Sequence, residues 1–346
     1  MTLPAFYAPE QEGHDPQSFL VLGQFRAAEE VPERARRLKA GAEAAGLSFQ
    51  RPQDAGQAPL AAVHTPEYLH FLSHIHRSWS EIPGAAPEVI PNLHLDRTLG
   101  GYPKSPVGLA NYHQADAACP IGQGTWEAAC WSAWTAVAAT DAVLNGAPAA
   151  YALSRPPGHH AYADLAGGFC FLNNSAIAAQ RLRSRHNRVA VLDVDVHHGN
   201  GTQGIFYNRR DVLTISLHAD PREYYPFMVG YAHERGAGDG LGFNLNVPLP
   251  RSTKDASYLL ALDHALGVLQ AFHPDALVLA LGLDAYEGDP LQGMQLSTGC
   301  FQAIGSAVAG LGLPTVVVQE GGYVCDGLGE NLTSLLGGFI GGASQG

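Results

Sequence analysis

The sequence has few charged residues, few basic ones among them, and no long apolar run. Charged residues make up only 15% of the 346 residues and hydrophobic ones 46%, a balance typical of a compact globular protein. Lys and Arg number 20 against 32 Asp and Glu, so the formal net charge is -12. This charge argues against a nucleic-acid-binding surface and is compatible with a cationic ligand.

Features of secreted and membrane proteins are also missing. The apolar runs, such as residues 276–283, are too short to span a bilayer. The N-terminal residues lack the basic stretch and apolar run of a signal peptide. The 5 cysteines are odd in number and form no CxxC pair, which favours a reducing compartment. We therefore expect a cytoplasmic protein with no membrane or nucleic-acid partner.

Short aliphatic and β-branched segments alternate with helical patterns. We predict Thr125 as the N-cap of the first long helix and Gly146 just beyond its end. Alternating strands and helices predict an α/β fold with a central, mostly parallel sheet flanked by helices, in a single domain over residues 1–346. The predicted strands cover residues 149–153, 188–194, 212–217, 276–283 and 315–318, and the predicted helices cover 126–144, 173–185 and 255–272.

A segment rich in proline and glycine interrupts this alternation at about residues 82–120. Loops of this length within a compact domain are usually functional or disordered. We interpret the segment as an insertion near the active site or at a contact between subunits; a passive surface loop is the alternative.

Acidic and histidine side chains follow two predicted strands. Asp193, Asp195 and His197 alternate after the strand at 188–194, so they can point in one direction. Asp284 directly follows the strand at 276–283. Because ligands bind at the carboxyl ends of parallel strands, Asp195, His197 and Asp284 are candidate metal ligands. Three protein ligands leave a position open, as catalytic zinc sites do, although this ligand set also suits iron or cobalt.

Two loops after other strands add groups suited to acid–base chemistry. His159 and His160 follow Arg155-Pro-Pro-Gly, and histidine is a natural general base and acid near neutral pH; ligation of a metal by this pair is the alternative. Tyr323 follows Glu320-Gly-Gly after the last strand, where its phenol could donate to a developing oxyanion.

These motifs together resemble the histone deacetylase superfamily. The resemblance is carried by RPPGHH, GGFCFLNN (residues 167–174), LDVDVHHGNGTQ (192–203), SLH (216–218), LGLD followed by Asp289-Pro290, EGGY and the weaker VHTPEYL (63–69). The length, the segment before PIGQGTW and DPREYYPFMVGYA (220–232) are most similar to the bacterial acetylpolyamine amidohydrolases. The resemblance implies the arginase/deacetylase-type fold and a zinc-dependent amide hydrolase that releases acetate from N-acetylated amines, above all acetylpolyamines.

The resemblance also implies roles for individual residues. One zinc ion per subunit would be held by Asp195, His197 and Asp284. His159 and His160 would be the catalytic pair, with His160 as the base, and Tyr323 would polarise the acyl carbonyl. Asp193 would orient His159, and Asn200 would partner the second histidine. Asp193, Ser216 and Leu217 would bind a structural potassium ion. Phe169, Tyr225 and Gly168 would line a narrow substrate tunnel.

The sequence departs from the family pattern at two positions. Asn200 stands where some relatives have an aspartate beside the second histidine. Ser18 aligns roughly with an acidic residue that grips the distal cation in polyamine-specific members. The residues that could replace that acid are Glu10, Glu12, Asp15, Asp116 and Glu223.

Several alternatives stay open at this point. Within the same chemistry, the substrate could be a protein acetyl-lysine or another small amide. An arginase-like binuclear manganese ureohydrolase shares the fold, but His198 and Asn200 stand where bridging carboxylates would be needed. A catalytically inactive binding protein would not need Tyr323, both histidines and all three ligands. The resemblance further suggests a homodimer formed through the segment at 82–120.

Overall fold

A computed structural model describes residues 3–94, 97 and 100–342 of the chain. Its centre is an eight-stranded sheet of order β4-β1-β5-β10-β9-β6-β7-β8, in which every neighbouring pair is parallel. These strands are β1 (Ala5–Phe6), β4 (Phe49–Gln50), β5 (Ala149–Ala152), β6 (Val189–Asp193), β7 (Val212–Ala219), β8 (Asn244–Leu249), β9 (Ala276–Leu281) and β10 (Thr315–Gln319). The parallel sheet confirms the predicted α/β class.

Ten α-helices accompany the sheet in the described part of the chain. They are α1 (Pro32–Ala44), α2 (Ala58–Ala61), α3 (Pro66–Ser80), α4 (Pro106–His113), α5 (Thr125–Leu144), α6 (Asn174–Leu182), α7 (Asn200–Phe206), α8 (Asp255–Phe272), α9 (Thr298–Ala309) and α10 (Leu328–Gly342). Short 3₁₀ helices cover Pro9–Gly13 and Gly238–Gly240, and a separate antiparallel hairpin pairs β2 (Ser18–Val21) with β3 (Gln24–Ala27). None of these helices has both the length and the apolar composition that crossing a membrane requires.

The central strands are covered by helices on both faces. Because successive strand residues point to opposite faces, Ala190 and Leu192 pack with α1, α8, α9 and α10. Val189 and Val191 pack on the other side with α5, α6 and α7. All residues of β5, β6, β9 and β10 are buried, which explains why these strands are uninterrupted apolar runs rather than alternating ones.

The five predicted strands are all present, with ends that differ by at most two residues. The predicted helix at 255–272 coincides with α8, and Gly146 follows α5 with a φ of 102°. The prediction of Thr125 as N-cap is wrong, because Gly124 is the N-cap and Thr125 is the first helical residue. The Thr125 hydroxyl instead accepts the backbone N–H of Gly122 and contacts His14 Nδ1 at 2.9 Å.

The segment at 82–120 contains more structure than a loop. Helix α4 begins after Ser105, whose hydroxyl accepts the N–H of Gly108. Val89 pairs with Ile121, and Gln114 pairs with Ala166. The first pairing joins the beginning of the segment to the residue just after its end, and the second one brings residue 116 beside the loop at 167–169.

Candidate active site

The side chains singled out from the sequence meet at the carboxyl edge of the sheet. Strands β5, β10, β9 and β6 are neighbours in that order, and a loop with conspicuous polar residues follows each of them. Since parallel strands all end at the same edge, the loops after β5 and β10 face those after β9 and β6. Residues more than a hundred positions apart in the chain thereby line one buried site.

Asp195, His197 and Asp284 form a group able to hold a metal ion. One potential ligand atom from each lies within 4.8 Å of the other two, and all three side chains are buried. His197 Nδ1 lies 3.1 Å from both Asp195 Oδ1 and Asp284 Oδ2. Burial and the charge of Asp195 raise the pKa of Asp284. Two buried carboxylates this close are both ionised only where a cation neutralises them, and together with the imidazole they form a donor set that fits a divalent metal.

Gly321 leaves the space that these carboxylates occupy. A Cβ atom at Gly321 would lie 2.2 Å from Asp284 Oδ2 and 2.4 Å from Asp195 Oδ2. The N–H of Gly321 donates to Asp195 Oδ2 at 2.7 Å. The first glycine of the Glu320-Gly-Gly-Tyr323 motif is therefore required by the close approach of its backbone to the metal-binding group.

The two histidines after β5 have different partners, and their pKa values shift in opposite directions. His159 Nδ1 contacts Asp193 Oδ2 at 2.9 Å. Burial opposes its protonation, but Asp193 and Asp195 raise the pKa of His159 to about 10. His160 Nδ1 contacts Asn200 Oδ1 at 2.6 Å, and burial together with the neighbouring His159 holds its pKa well below the usual range. The surroundings thus favour the charged form of His159 and the neutral form of His160.

Asn200 fixes the tautomer of His160. The amide oxygen of Asn200 can only accept, so Nδ1 of His160 carries the proton. The amide nitrogen of Asn200 donates to the Tyr162 hydroxyl at 3.3 Å, which orients the amide. The unprotonated Nε2 of His160 is left with a lone pair, as a general base requires.

Tyr323 is held by its backbone and its ring. Its N–H donates to Asp289 Oδ2 at 2.9 Å, and its ring packs edge-on against Phe169 with centroids 5.7 Å apart. The Arg34 guanidinium lies 4.7 Å from the ring centroid. Burial raises the pKa of the Tyr323 hydroxyl well above its ordinary value, so the phenol stays protonated and able to donate.

Glu320 joins the tyrosine loop to the histidine loop, a role that was not predicted. Its carboxyl accepts the N–H groups of Gly158 and His159 at 2.6 and 3.0 Å and the Ser175 hydroxyl at 2.6 Å. The side chain is fully buried. A second potential metal-binding group, His159, Cys170 and Glu320, includes these same carboxyl oxygens, which are already occupied as acceptors.

A buried ion cluster of Glu30, Arg34 and Arg155 contacts the loop that carries Tyr323. Arg34 donates to the carbonyl oxygens of Glu320 and Gly322 at 2.6 Å each. Glu30 accepts from Arg34 and from Arg155 through Oε1, at 2.6 and 2.9 Å. All three ion partners are at most 1% exposed. Removing one partner of such a group leaves an uncompensated buried charge, so the cluster holds the loop in one position.

The residues predicted to line a tunnel surround the histidines. The ring of Tyr225 lies 5.0 Å from that of His160, and Phe169 packs against both Phe19 and Tyr323. Gly168, between the two aromatic walls, has a φ of 51°. The three predicted tunnel residues are therefore together beside the candidate base and the tyrosine.

The residues predicted for potassium are adjacent as well. Asp193 on β6 is the register partner of Ser216 on β7, and Leu217 follows. His198, by contrast, points away from the metal-binding group into a buried network with Gln203 and Asn246. Its position gives no additional ligand for a second metal.

Most of the acids considered as binding groups for a distal cation are paired with, or hydrogen-bonded to, other residues of the protein. Glu10 pairs with Arg51, and Glu12 with Arg36. The Asp116 carboxylate accepts from Tyr225 and Gly168. Among these candidates, Asp15 and Glu223 are exposed carboxylates without a side-chain partner in the described part of the chain.

Residues 28–339 match the family model of the histone deacetylase domain. The chain belongs to the histone deacetylase family. It is also 50% identical over 337 residues to an acetylpolyamine amidohydrolase of Burkholderia pseudomallei, an alignment that covers 96% of this chain and 98% of that protein. A histone deacetylase-like amidohydrolase of Pseudomonas aeruginosa is 49% identical over 215 residues, which are 59% of this chain and 56% of that one.

The fold agrees with this family membership. The crystal structure of an acetylpolyamine aminohydrolase from Burkholderia pseudomallei superposes with a TM-score of 0.96 at 48% sequence identity and covers 99% of both chains. The predicted arginase/deacetylase-type fold and the predicted resemblance to acetylpolyamine amidohydrolases are thereby confirmed.

Proposed function

We propose that this deacetylase-family protein hydrolyses the amide bond of N-acetylated amines, above all acetylpolyamines, and releases acetate and the free amine. The observation that carries the proposal is the buried group Asp195, His197 and Asp284, flanked by a neutral histidine and a protonated tyrosine. The polyamine preference is supported by near-full-length similarity to a relative named for that activity and by the net charge of -12.

We assign the metal site to one zinc ion per subunit, held by Asp195, His197 and Asp284. Zinc in such a site acts as a Lewis acid that polarises a carbonyl and lowers the pKa of water. The nitrogen and carboxylate donors of this group suit it, although the donors also accept iron or cobalt. The described residues around the group offer no further carboxylate without a partner, which favours one metal over the binuclear arrangement of a ureohydrolase.

The protein side of the reaction follows from the two loops. The Nε2 atom of His160 accepts a proton from the attacking water, because Nδ1 is already protonated and bonded to Asn200. The Tyr323 hydroxyl donates to the acyl oxygen as negative charge develops there. His160 then returns the proton to the amine nitrogen as the C–N bond breaks. His159 is positioned beside these groups by its contact with Asp193, whose carboxylate favours the charged form of the ring.

The test is the initial rate of the zinc-loaded enzyme on N-acetylputrescine, N8-acetylspermidine and an acetyl-lysine peptide, measured side by side. We expect fast hydrolysis of the two small amines and little turnover of the peptide, because Phe169 and Tyr225 bound a narrow site. Preferred turnover of the peptide would reassign the substrate to protein lysines. Absence of activity on all three would leave another small amide as the substrate class.

Two further properties are proposed on the same basis. A structural potassium ion bound by Asp193, Ser216 and Leu217 is consistent with the adjacency of these residues. Potassium should then raise the midpoint temperature of thermal unfolding more than sodium does.

A homodimer formed through residues 82–120 would be seen as twice the chain mass by light scattering at micromolar concentration, and a monomer there would refute it. The cytoplasmic location stays a prediction.

A further inference from the structure

The Asp116 carboxylate contacts both walls of the proposed substrate tunnel, namely Tyr225 and the loop that carries Phe169. Oδ2 accepts the Tyr225 hydroxyl at 2.6 Å. The N–H of Gly168 lies 3.3 Å from Oδ1 and 3.2 Å from Oδ2. Oδ1 also accepts the N–H of Ala118 at 2.9 Å, which fixes the carboxylate relative to its own backbone. One side chain therefore connects the Tyr225 wall to the backbone that precedes the Phe169 wall.

The backbone around Asp116 is itself tied to the tunnel loop. The N–H of Ala115 donates to the Ala166 carbonyl at 2.7 Å, and the N–H of Ala166 donates to the His113 carbonyl at 2.8 Å. These bonds form the bridge between Gln114 and Ala166. The carboxylate thus lies on a segment that this bridge fixes at the end of the region 82–120.

The Phe169 wall needs such support because its backbone is strained. Gly168 and Phe169 have φ values of 51° and 68°, and a bulky residue such as phenylalanine rarely adopts a positive φ. A side chain at Gly168 would meet the His160 ring at 2.4 Å and the Tyr225 hydroxyl at 2.8 Å. Strained conformations persist only where neighbouring groups hold them, and the Asp116 carboxylate binds the N–H of this turn.

The Tyr225 wall depends on the same carboxylate. The Tyr225 ring meets His160 and His197 edge-on, with centroids 5.0 and 6.1 Å apart. Its hydroxyl makes a hydrogen bond to Asp116 and to no other side chain of the described residues. Without that bond the ring would keep its apolar contacts but lose the interaction that fixes its distance from Gly168.

We propose that Asp116 is a positioning residue that sets the width of the tunnel, and with it the preference for slender acetylated amines over bulkier amides. We name Asp116, Tyr225 and Gly168 the tunnel clamp. The proposal rests on the proposed deacetylase function for the identity of the substrate. It gives Asp116 a different role from a cation grip, because both carboxylate oxygens are already engaged by donors of the protein.

The test compares Asp116→Ala, Tyr225→Phe, their double variant and Asp116→Asn. The dissociation constants of acetohydroxamate and of a bulky aryl hydroxamate, measured by calorimetry on the zinc-loaded proteins, report tunnel width without requiring turnover. We expect Asp116→Ala to shift the ratio of the two constants toward the bulky ligand by roughly 10-fold, the scale of small differences in pocket size. Tyr225→Phe should give a smaller shift, and the double variant should match Asp116→Ala.

Asp116→Asn separates the clamp from a charge effect. The asparagine oxygen can accept from Gly168 and its amide can donate to the Tyr225 hydroxyl, so we expect this variant to keep the wild-type ratio. The KM for N-acetylputrescine should also stay near that of the wild type. A raised KM with an unchanged hydroxamate ratio would make Asp116 a cation grip and overturn the proposal, as would additive effects in the double variant.

The hydroxamate ratio also separates this proposal from the proposed function. If the wild type hydrolyses none of the acetylated amines, the substrate assignment fails, while the shift in the ratio still supports the clamp. If the amines are hydrolysed and the ratio is the same in all four variants, the deacetylase function stands and the clamp is refuted.

Discussion

Replacing Tyr323 with phenylalanine is expected to lower kcat by roughly 100- to 1,000-fold, the effect of removing one donor to a developing oxyanion. The hydroxyl is buried and stays protonated, so its loss removes a hydrogen-bond donor and little else. The backbone bond to Asp289 and the ring contacts with Phe169 and Arg34 involve no hydroxyl atom. KM and zinc content should therefore change little.

A matched variant tests whether the effect belongs to the site. Tyr7 is also buried, and its hydroxyl donates to Glu12 at 2.9 Å, away from the metal-binding group. Tyr7→Phe removes the same atom and should leave kcat close to the wild-type value. Steady-state rates on N-acetylputrescine, together with zinc measured by atomic absorption, decide the matter. Full activity of Tyr323→Phe would show that another group stabilises the oxyanion.

Asp284→Asn is expected to abolish both turnover and tight zinc binding while sparing the fold. Loss of a direct ligand should weaken the metal by more than the roughly 100-fold seen for residues outside the ligand shell. The backbone N–H of Val196 donates to Asp284 Oδ1 at 2.9 Å, and an asparagine oxygen can keep that bond. The neutral amide also removes the repulsion between two buried carboxylates in the metal-free protein.

The stability of the wild type should consequently respond to zinc, whereas that of Asp284→Asn should not. With a chelator present, we expect Asp284→Asn to unfold at the same temperature as the wild type or higher. With zinc at about 100 times its dissociation constant, the wild type should gain about 2.7 kcal/mol, whereas the variant should gain nothing. Calorimetric scans with and without zinc measure this directly. A zinc-dependent rise of equal size in Asp284→Asn would remove Asp284 from the ligand set.

The sequence predicted the structure best where a buried apolar strand is followed directly by polar residues of the candidate site. The burial of β6 and β9 is readable as apolar runs, and Asp195, His197 and Asp284 stand directly after them. Their convergence follows from the rule that parallel strands end at one edge. Helix α8 was predicted correctly because its periodic pattern is long and its ends are clear.

Contacts between segments that lie far apart in the chain could not be predicted from the sequence. Glu320 was quoted in a motif, but its bonds to Gly158 and Ser175 depend on β10 lying beside β5. The role of Arg34 could not be predicted, since the carbonyl groups of Glu320 and Gly322 that it binds lie almost three hundred residues away. Helix α4 could have been found from Ser105 followed by proline, a common start signal, but glycine and proline around it suggested a loop.

The acids considered as binding groups for a distal cation show the same limit. A carboxylate near the site could grip a substrate or bind the protein itself, and only its neighbours decide which. Glu12 lies beside Arg36, and Asp116 lies beside Tyr225. Composition gives the excess of negative charge but does not say which acids remain available to a cation.

The order of the strands has a consequence for how the protein is made. Strand β10 is the last along the chain, yet it lies between β5 and β9 in the middle of the sheet. Until residues 315–319 leave the ribosome, β10 cannot join β5 to β9. The strands on either side of its position then have edges without a hydrogen-bonding partner. Such edges favour aggregation, so the nascent chain depends on protection until its final strand emerges. Because Tyr323 follows that strand, the candidate catalytic groups can come together only once the sheet can close.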